Sequence, residues 1–188
     1  MDKNDNVILK PILFNTKMVR AILDGKKTVT RRLLKKYVLN DAQWGYTAFT
    51  PKGYISCRGN NGKEYGEKFY RLPYQKGDIL WVRETWCEEN GKYFYKADGD
   101  TDKKWHPSLH MPKDAARLYL LVTDIKPERL QDITDEQARA EGCENIDGFK
   151  AVWDSTVNPR YWDKYRFAKN PWVWAIYFKE VNIDDYRS

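Results

Sequence analysis

The chain has 188 residues, a formal net charge of +6 and 15% aromatic side chains, which suits a single domain with a sizeable core. Its three cysteines, Cys57, Cys87 and Cys143, form no CxxC pair, which argues against a disulfide framework and a zinc site and fits a reducing cytoplasm. No apolar run approaches the roughly 20 residues of a membrane span, and the first residues lack a signal-peptide pattern.

Residues 7–14 read as a first strand, with Pro11 pointing to an edge or a bulge. Thr16 is expected to cap a helix whose Met18, Val19, Ile22 and Leu23 share one face, and Gly25 suits the position just past its end. Residues 28–34 look extended. Between them lies Asp24-Gly25-Lys26-Lys27-Thr28-Val29-Thr30-Arg31-Arg32. From position 17 to 36 eight basic side chains face one acid, Asp24, so this segment alone carries more positive charge than the +6 of the whole chain. A near-neutral chain with one basic element suits an anionic partner, although a solvated lysine-rich surface has the same composition.

Residues 37–76 mix glycines, prolines and aromatics and read as short strands and loops over the core, an insertion-like segment within one domain spanning 1–188. Gly77-Asp78 is a turn signal, 79–86 a strong strand, and Asn90-Gly91 a hairpin turn into 92–97. Asp98-Gly99-Asp100-Thr101-Asp102 opens like a calcium loop, but Lys103 stands where that loop needs glycine and Leu109 where it needs glutamate. His106 and His110 are separated by Pro107 with no Glu after the first, so the zinc-helix motif is absent. Residues 117–125 read as a strand. Thr134 and Gln137 form a capping box, with Ile133 and Ala138 in the staple positions, for a helix running to Glu141 and closed by Gly142. Asp147 is expected to cap the next helix, which presents Phe149, Val152, Trp153 and Thr156 on one face and stops at Asn158-Pro159. Residues 172–181 are apolar on both faces, as in a central strand, and 184–188 read as a tail. Strands and helices do not alternate strictly, so the expected class is α+β, around a mixed sheet or small barrel.

The stretch from Asp24 to Arg32, Gly77-Asp78-Ile79-Leu80-Trp81-Val82 and the final strand together resemble an ASCH domain. That resemblance implies a PUA-like fold, a small mixed β-barrel with flanking helices, of a kind associated with RNA and modified nucleosides. Ser108-Leu109-His110-Met111-Pro112, Ala116-Arg117-Leu118 and Asn170-Pro171-Trp172-Val173-Trp174 are similar to the longer ASCH proteins of bacteriophages and prophages. A smaller ASCH branch hydrolyses N4-acetylcytidine with a Lys and a Thr from a Gly-x-Lys-x-x-Thr stretch and a Glu from a later helix. On this sequence the resemblance puts those roles on Lys27, Thr30 and Glu141. It implies no metal and no cofactor.

Amide hydrolysis requires a nucleophile, a base and a proton for the leaving nitrogen. Thr30 supplies an oxygen, Lys27 a base if it is neutral, and Glu141 a group to position water or protonate the amine. Lys26, Arg31, Arg32 and Arg117 are candidates for holding phosphate or an oxyanion, and Trp81, with Trp86 and Trp105, for stacking on a base. In an unbroken strand Lys27 and Thr30 would point to opposite faces, so cooperation requires Lys27 to lie in the turn before it. The competing reading is a non-catalytic module that binds RNA or DNA through the same cleft. Taken singly, each of these residues is an ordinary strand threonine, core tryptophan or surface ion.

Overall fold

The computed structural model describes residues 9–34, 44–50, 54–60, 65–99 and 102–186. Ten strands and four α-helices are named here: β1 (Leu9–Leu13), α1 (Thr16–Leu23), β2 (Val29–Leu33), β3 (Trp44–Thr50), β4 (Tyr54–Asn60), β5 (Tyr65–Arg71), β6 (Ile79–Arg83), β7 (Trp86–Glu89), β8 (Lys92–Tyr95), β9 (Tyr119–Arg129), α2 (Asp135–Ala140), α3 (Ile146–Thr156), α4 (Trp162–Tyr165) and β10 (Trp172–Val181).

The main sheet has the order β1-β6-β9-β10-β2. β1 pairs with β6 in parallel and the other pairs are antiparallel, so the sheet is mixed, as the class α+β requires. Pro11 lies on an edge strand, where its missing N–H costs no ladder bond. No pairing between β1 and β2 closes the sheet into a barrel among the described residues. The segment expected as short strands and loops holds a three-stranded meander, β3-β4-β5.

Side-chain alternation divides the core. Leu80, Val82, Leu120, Val122, Trp174, Ile176 and Phe178 meet Ile12, Phe14, Val19 and Ile22 on one side. Val173 meets Leu130, Ile133, Ala138, Phe149 and Trp153, beneath α2 and α3. Ile79, Trp81 and Tyr119 form a third cluster with Ile183 and Tyr186 packed against it. The expected tail therefore begins as a packed 3-10 turn, Ile183–Tyr186.

Local signals fared unevenly. The N-cap of α1 is Asn15, whose side chain accepts from the Met18 N–H at 2.9 Å, and Thr16 is the first helical residue. Likewise Asn145, not Asp147, caps α3 by accepting from the Gly148 N–H. Val19 and Ile22 are buried, but Leu23 is 44% exposed and leaves the apolar face. The strand expected over 79–86 breaks at Glu84, and Trp86 begins the separate β7–β8 hairpin. Asn90 and Gly91 both have positive φ, as a two-residue primed turn needs. The capping box of α2 has both reciprocal bonds.

Both α1 and α2 end in the same way. The Gly25 N–H bonds the Ile22 carbonyl and the Lys26 N–H that of Ala21; the Gly142 N–H bonds the Arg139 carbonyl and the Cys143 N–H that of Ala138. These are two Schellman ends, each turning at a left-handed glycine. They pack together, because the Thr28 N–H bonds the Ala140 carbonyl at 2.8 Å. The chain leaving α1 thus reaches β2 beside the end of α2.

β2 is the other edge of the sheet. Its partner is β10, with Thr30 opposite Ile176 and Arg32 opposite Trp174. The Phe178 N–H bonds the Thr28 carbonyl and the Leu34 N–H bonds the Trp172 carbonyl. The Thr28 carbonyl, both peptide groups of Thr30 and Arg32, and the Leu34 N–H therefore turn toward β10, and those of Arg31 turn to the free edge.

Candidate active site

Lys27 belongs to the turn, not the strand. Its N–H bonds the Ala21 carbonyl, and β2 begins two residues later at Val29. This meets the condition for Lys27 to serve the same site as Thr30. The Lys27 side chain has no solvent exposure, and its Nζ donates to the Val29 carbonyl at 2.9 Å, the Glu141 carbonyl at 2.9 Å and Glu141 Oε2 at 2.6 Å. Three acceptors match the three protons of an ammonium. One acceptor is the last carbonyl region of α2, where the helix dipole favours a cation. Burial pushes the Lys27 pKa below its ordinary value, and the Glu141 carboxylate opposes that shift.

Glu141 is the C-cap of α2 and is 6% exposed. Its other oxygen, Oε1, accepts from Arg31 Nη1 at 3.3 Å. Arg31 is also internal: Nε donates to Glu128 at 2.7 Å, Nη2 to the Gln137 side-chain carbonyl at 3.0 Å, and the guanidinium lies 5.8 Å from the centre of the Phe149 ring. Neither Glu128 nor Gln137 is among the site residues expected from the sequence. Gln137 carried a signal as the capping-box residue, and its Oε1 serves both the cap and Arg31. Glu128, next to the end of β9, carries none.

A cavity of about 140 Å³ lies at this junction. Thr30, Arg31, Arg32 and Glu141 line it, with Phe149 and Trp153 forming an aromatic wall. Thr30 is 2% exposed. Lys27 is not among the lining residues and stands behind Glu141. Cys143 also borders the space, and burial raises its thiol pKa. The volume is below the roughly 300–1,000 Å³ of ordinary ligand pockets, so a single ring fits it better than a whole nucleoside. Arg31, Arg32, Trp153 and Thr156 also border a wider cleft of about 540 Å³ that reaches Tyr161, which is 37% exposed.

The basic element is largely taken up by the protein itself. Lys26, exposed at its tip, pairs with Asp24 at 2.9 Å, Arg20 bonds the Ala97 and Lys96 carbonyls, and Lys27 and Arg31 are paired inside. Arg32 differs. Its Nη2 bonds the Leu13 carbonyl at 2.5 Å and its guanidinium sits 5.2 Å from the Phe14 ring centre, but it pairs with no carboxylate among the described residues. Burial lowers its pKa.

Two expected binding residues lie elsewhere. Arg117 is held by Glu84 at 2.8 Å and 3.1 Å and by both oxygens of Asp98 at 2.8 Å, against the Tyr95 ring. Trp81 is 9% exposed, in the third core cluster beneath the Arg83 guanidinium. Lys26 does not line the cavity either. Trp86 packs on Tyr93 and His106. No group of three or more potential metal ligands occurs among the described residues, and no helix is long and apolar enough to cross a membrane.

The mixed sheet with flanking helices is a fold found in a solved ASCH domain. The chain shares that fold with the ASCH domain from Lactobacillus crispatus JV V101, at 12% identity and a TM-score of 0.51 over 92% of this chain and 79% of that one. It is also similar to protein EF3133 from Enterococcus faecalis V583, at 10% identity and a TM-score of 0.46 over 94% of this chain and 82% of that one. The hypothetical protein PH0355 aligns at 13% identity and a TM-score of 0.44 over 93% of this chain and all of that one. No family model and no curated protein matches the chain.

Proposed function

We propose that the cavity beside β2 binds a modified pyrimidine nucleoside and hydrolyses an N4-acyl group from it. The observation that carries this reading is the junction itself: Thr30 and Glu141 line one small cavity, and Lys27 is bonded to Glu141 at 2.6 Å. The Lys27–Glu141 pair acts as one proton-exchanging unit. The Thr30 hydroxyl attacks the acyl carbonyl carbon, and its proton passes to Glu141, whose charge and position Lys27 holds. The same proton goes to the departing N4 nitrogen as the C–N bond breaks, giving cytidine and an acyl-threonine. Water then attacks the ester, restoring Thr30 and releasing the carboxylic acid. Arg31 and Arg32 face the cavity and favour the oxyanion.

Arg32 supports a second reading, the non-catalytic binding of RNA or DNA. A guanidinium with no acidic partner among the described residues, beside a cleft of about 540 Å³ that ends at exposed Tyr161, suits a phosphate and a stacked base.

Calorimetric titration separates the two. The nucleoside reading predicts that N4-acetylcytidine binds to Thr30→Ala protein, with little dependence on salt. Salt-sensitive binding of a single-stranded oligonucleotide, without binding of the nucleoside, would instead establish the nucleic-acid module.

A further inference from the structure

We infer that the preferred substrate carries a phosphate ester on its ribose, and that Lys17 and Arg32 hold this phosphate at the mouth of the cavity while the base lies inside. This rests on the reading of the cavity as a pyrimidine site and adds to it the class of substrate, a nucleotide in preference to a bare nucleoside.

Three observations lead there. The first is charge. Lys26, Lys27 and Arg31 are paired with carboxylates, and Arg20 is held by two backbone carbonyls. Lys17 and Arg32 pair with no carboxylate among the described residues, and the first turn of α1 offers Lys17 no acid. Both of these cations border the 140 Å³ cavity. The second is place. The Arg32 guanidinium reaches the Leu13 carbonyl at the end of β1, and Lys17 stands in the first turn of α1, four residues after Leu13. The two cations therefore flank the β1–α1 junction, and exposed Lys17 makes it the open rim of the cavity. Arg32 follows Thr30 by two residues, so it projects from the same face of β2 about 7 Å further along. The third is asymmetry. α3 supplies Phe149 and Trp153 on one side of the cavity, and α1 supplies Lys17 on the other.

An aromatic wall suits a flat ring, and a rim of uncompensated cations suits an anion. The small cavity admits the ring and leaves the ribose and its substituent at the rim. A guanidinium binds phosphate oxygens through its fixed N–H fork and an ammonium adds a mobile point charge. An acidic acyl group is the poorer match, because it would lie beside the Glu141 carboxylate. The same phosphate chemistry belongs to a free nucleotide and to a nucleic-acid strand. Arg32 also borders clefts of about 480 Å³ and 540 Å³, in which a strand has room to continue.

The test is calorimetric titration of the full chain carrying Thr30→Ala with N4-acetylcytidine, its 5′-monophosphate and a single-stranded trinucleotide with N4-acetylcytidine at its centre. The proposal predicts that the monophosphate binds at least about tenfold more tightly than the nucleoside, and that this advantage shrinks as salt is raised. Adding Lys17→Ala, a change at an exposed position, is expected to cut the advantage about threefold. A trinucleotide bound as tightly as the monophosphate assigns the phosphate to a strand; one bound more weakly than the nucleoside assigns it to a free nucleotide. If nucleoside and monophosphate bind equally, or if neither salt nor Lys17→Ala changes their ratio, the phosphate site is wrong and the nucleoside site stands. If none of the three compounds binds, both readings fall.

Discussion

Lys27 and Glu141, separated by 114 positions in the sequence, are joined twice: the same Nζ bonds the Glu141 carboxylate at 2.6 Å and its backbone carbonyl at 2.9 Å. The ammonium thereby ties the turn after α1 to the end of α2. It also satisfies a helix-terminal carbonyl that has no partner within its own helix.

Removing one member of that pair is expected to be costly. Lys27→Met leaves Glu141 with only the 3.3 Å bond from Arg31, and a buried charge stripped of its partner typically costs about 3–5 kcal/mol. The double variant Lys27→Met/Glu141→Gln is expected to recover part of that loss, because the carboxylate is removed as well. Urea unfolding of the two variants measures the difference.

The same lysine gives a pH signature with a definite sign. Its pKa is lowered in the folded protein, mainly by burial, so the unfolded chain binds the extra proton between the folded value and 10.5. Its proton-linked contribution is fully present above 10.5 and is lost as pH falls through the folded value. The stability difference between wild type and Lys27→Met is therefore expected to shrink as pH falls from 10.5. The comparison belongs in a Cys143→Ser background, because burial also raises the pKa of that neighbouring thiol.

Gly142 has φ +86, and a Cβ placed on it would come 2.8 Å from Ala21 Cβ. Gly142→Ala is thus expected to cost about 2–4 kcal/mol, from left-handed strain and from forcing the two helix ends apart. Gly25 also has positive φ, but nothing lies within 4 Å of an added Cβ, so Gly25→Ala should cost only about 1–2 kcal/mol. Thermal unfolding of the two variants tests whether contact between the helix ends, beyond glycine's backbone freedom, matters.

Thr30 separates chemistry from folding. Thr30→Ala removes the hydroxyl at a buried strand position and is expected to lower stability by only ~1 kcal/mol while reducing turnover at least a thousandfold. Thr30→Ser keeps the oxygen and should retain measurable turnover. Equal activity in Thr30→Ala and wild type would remove the nucleophile from the proposed mechanism.

Much of the frame was legible because its signals are local. The capping box at Thr134 and Gln137, the glycines ending both helices, and the span Trp172–Val181 depend on neighbouring residues alone. Where two capping residues stood close together, as Asn15 with Thr16 and Asn145 with Asp147, short-range pattern did not choose between them. The site was less legible. The charge run suggested an outward basic surface, yet Arg31 turns inward to Glu128, which lies 97 positions away and carries no motif. Arg117 and Trp81 were attractive by residue type, but tertiary packing commits one to Glu84 and Asp98 and the other to the core. Trp153, expected only on an apolar helix face, forms part of the cavity wall.

Turnover of N4-acetylcytidine is the most direct measurement. Wild-type protein incubated with that nucleoside and followed by chromatography is expected to release cytidine and acetate in equal amounts, and folded Glu141→Gln protein to release neither at a comparable rate. Intact N4-acetylcytidine after prolonged incubation with folded wild type would contradict the hydrolytic account.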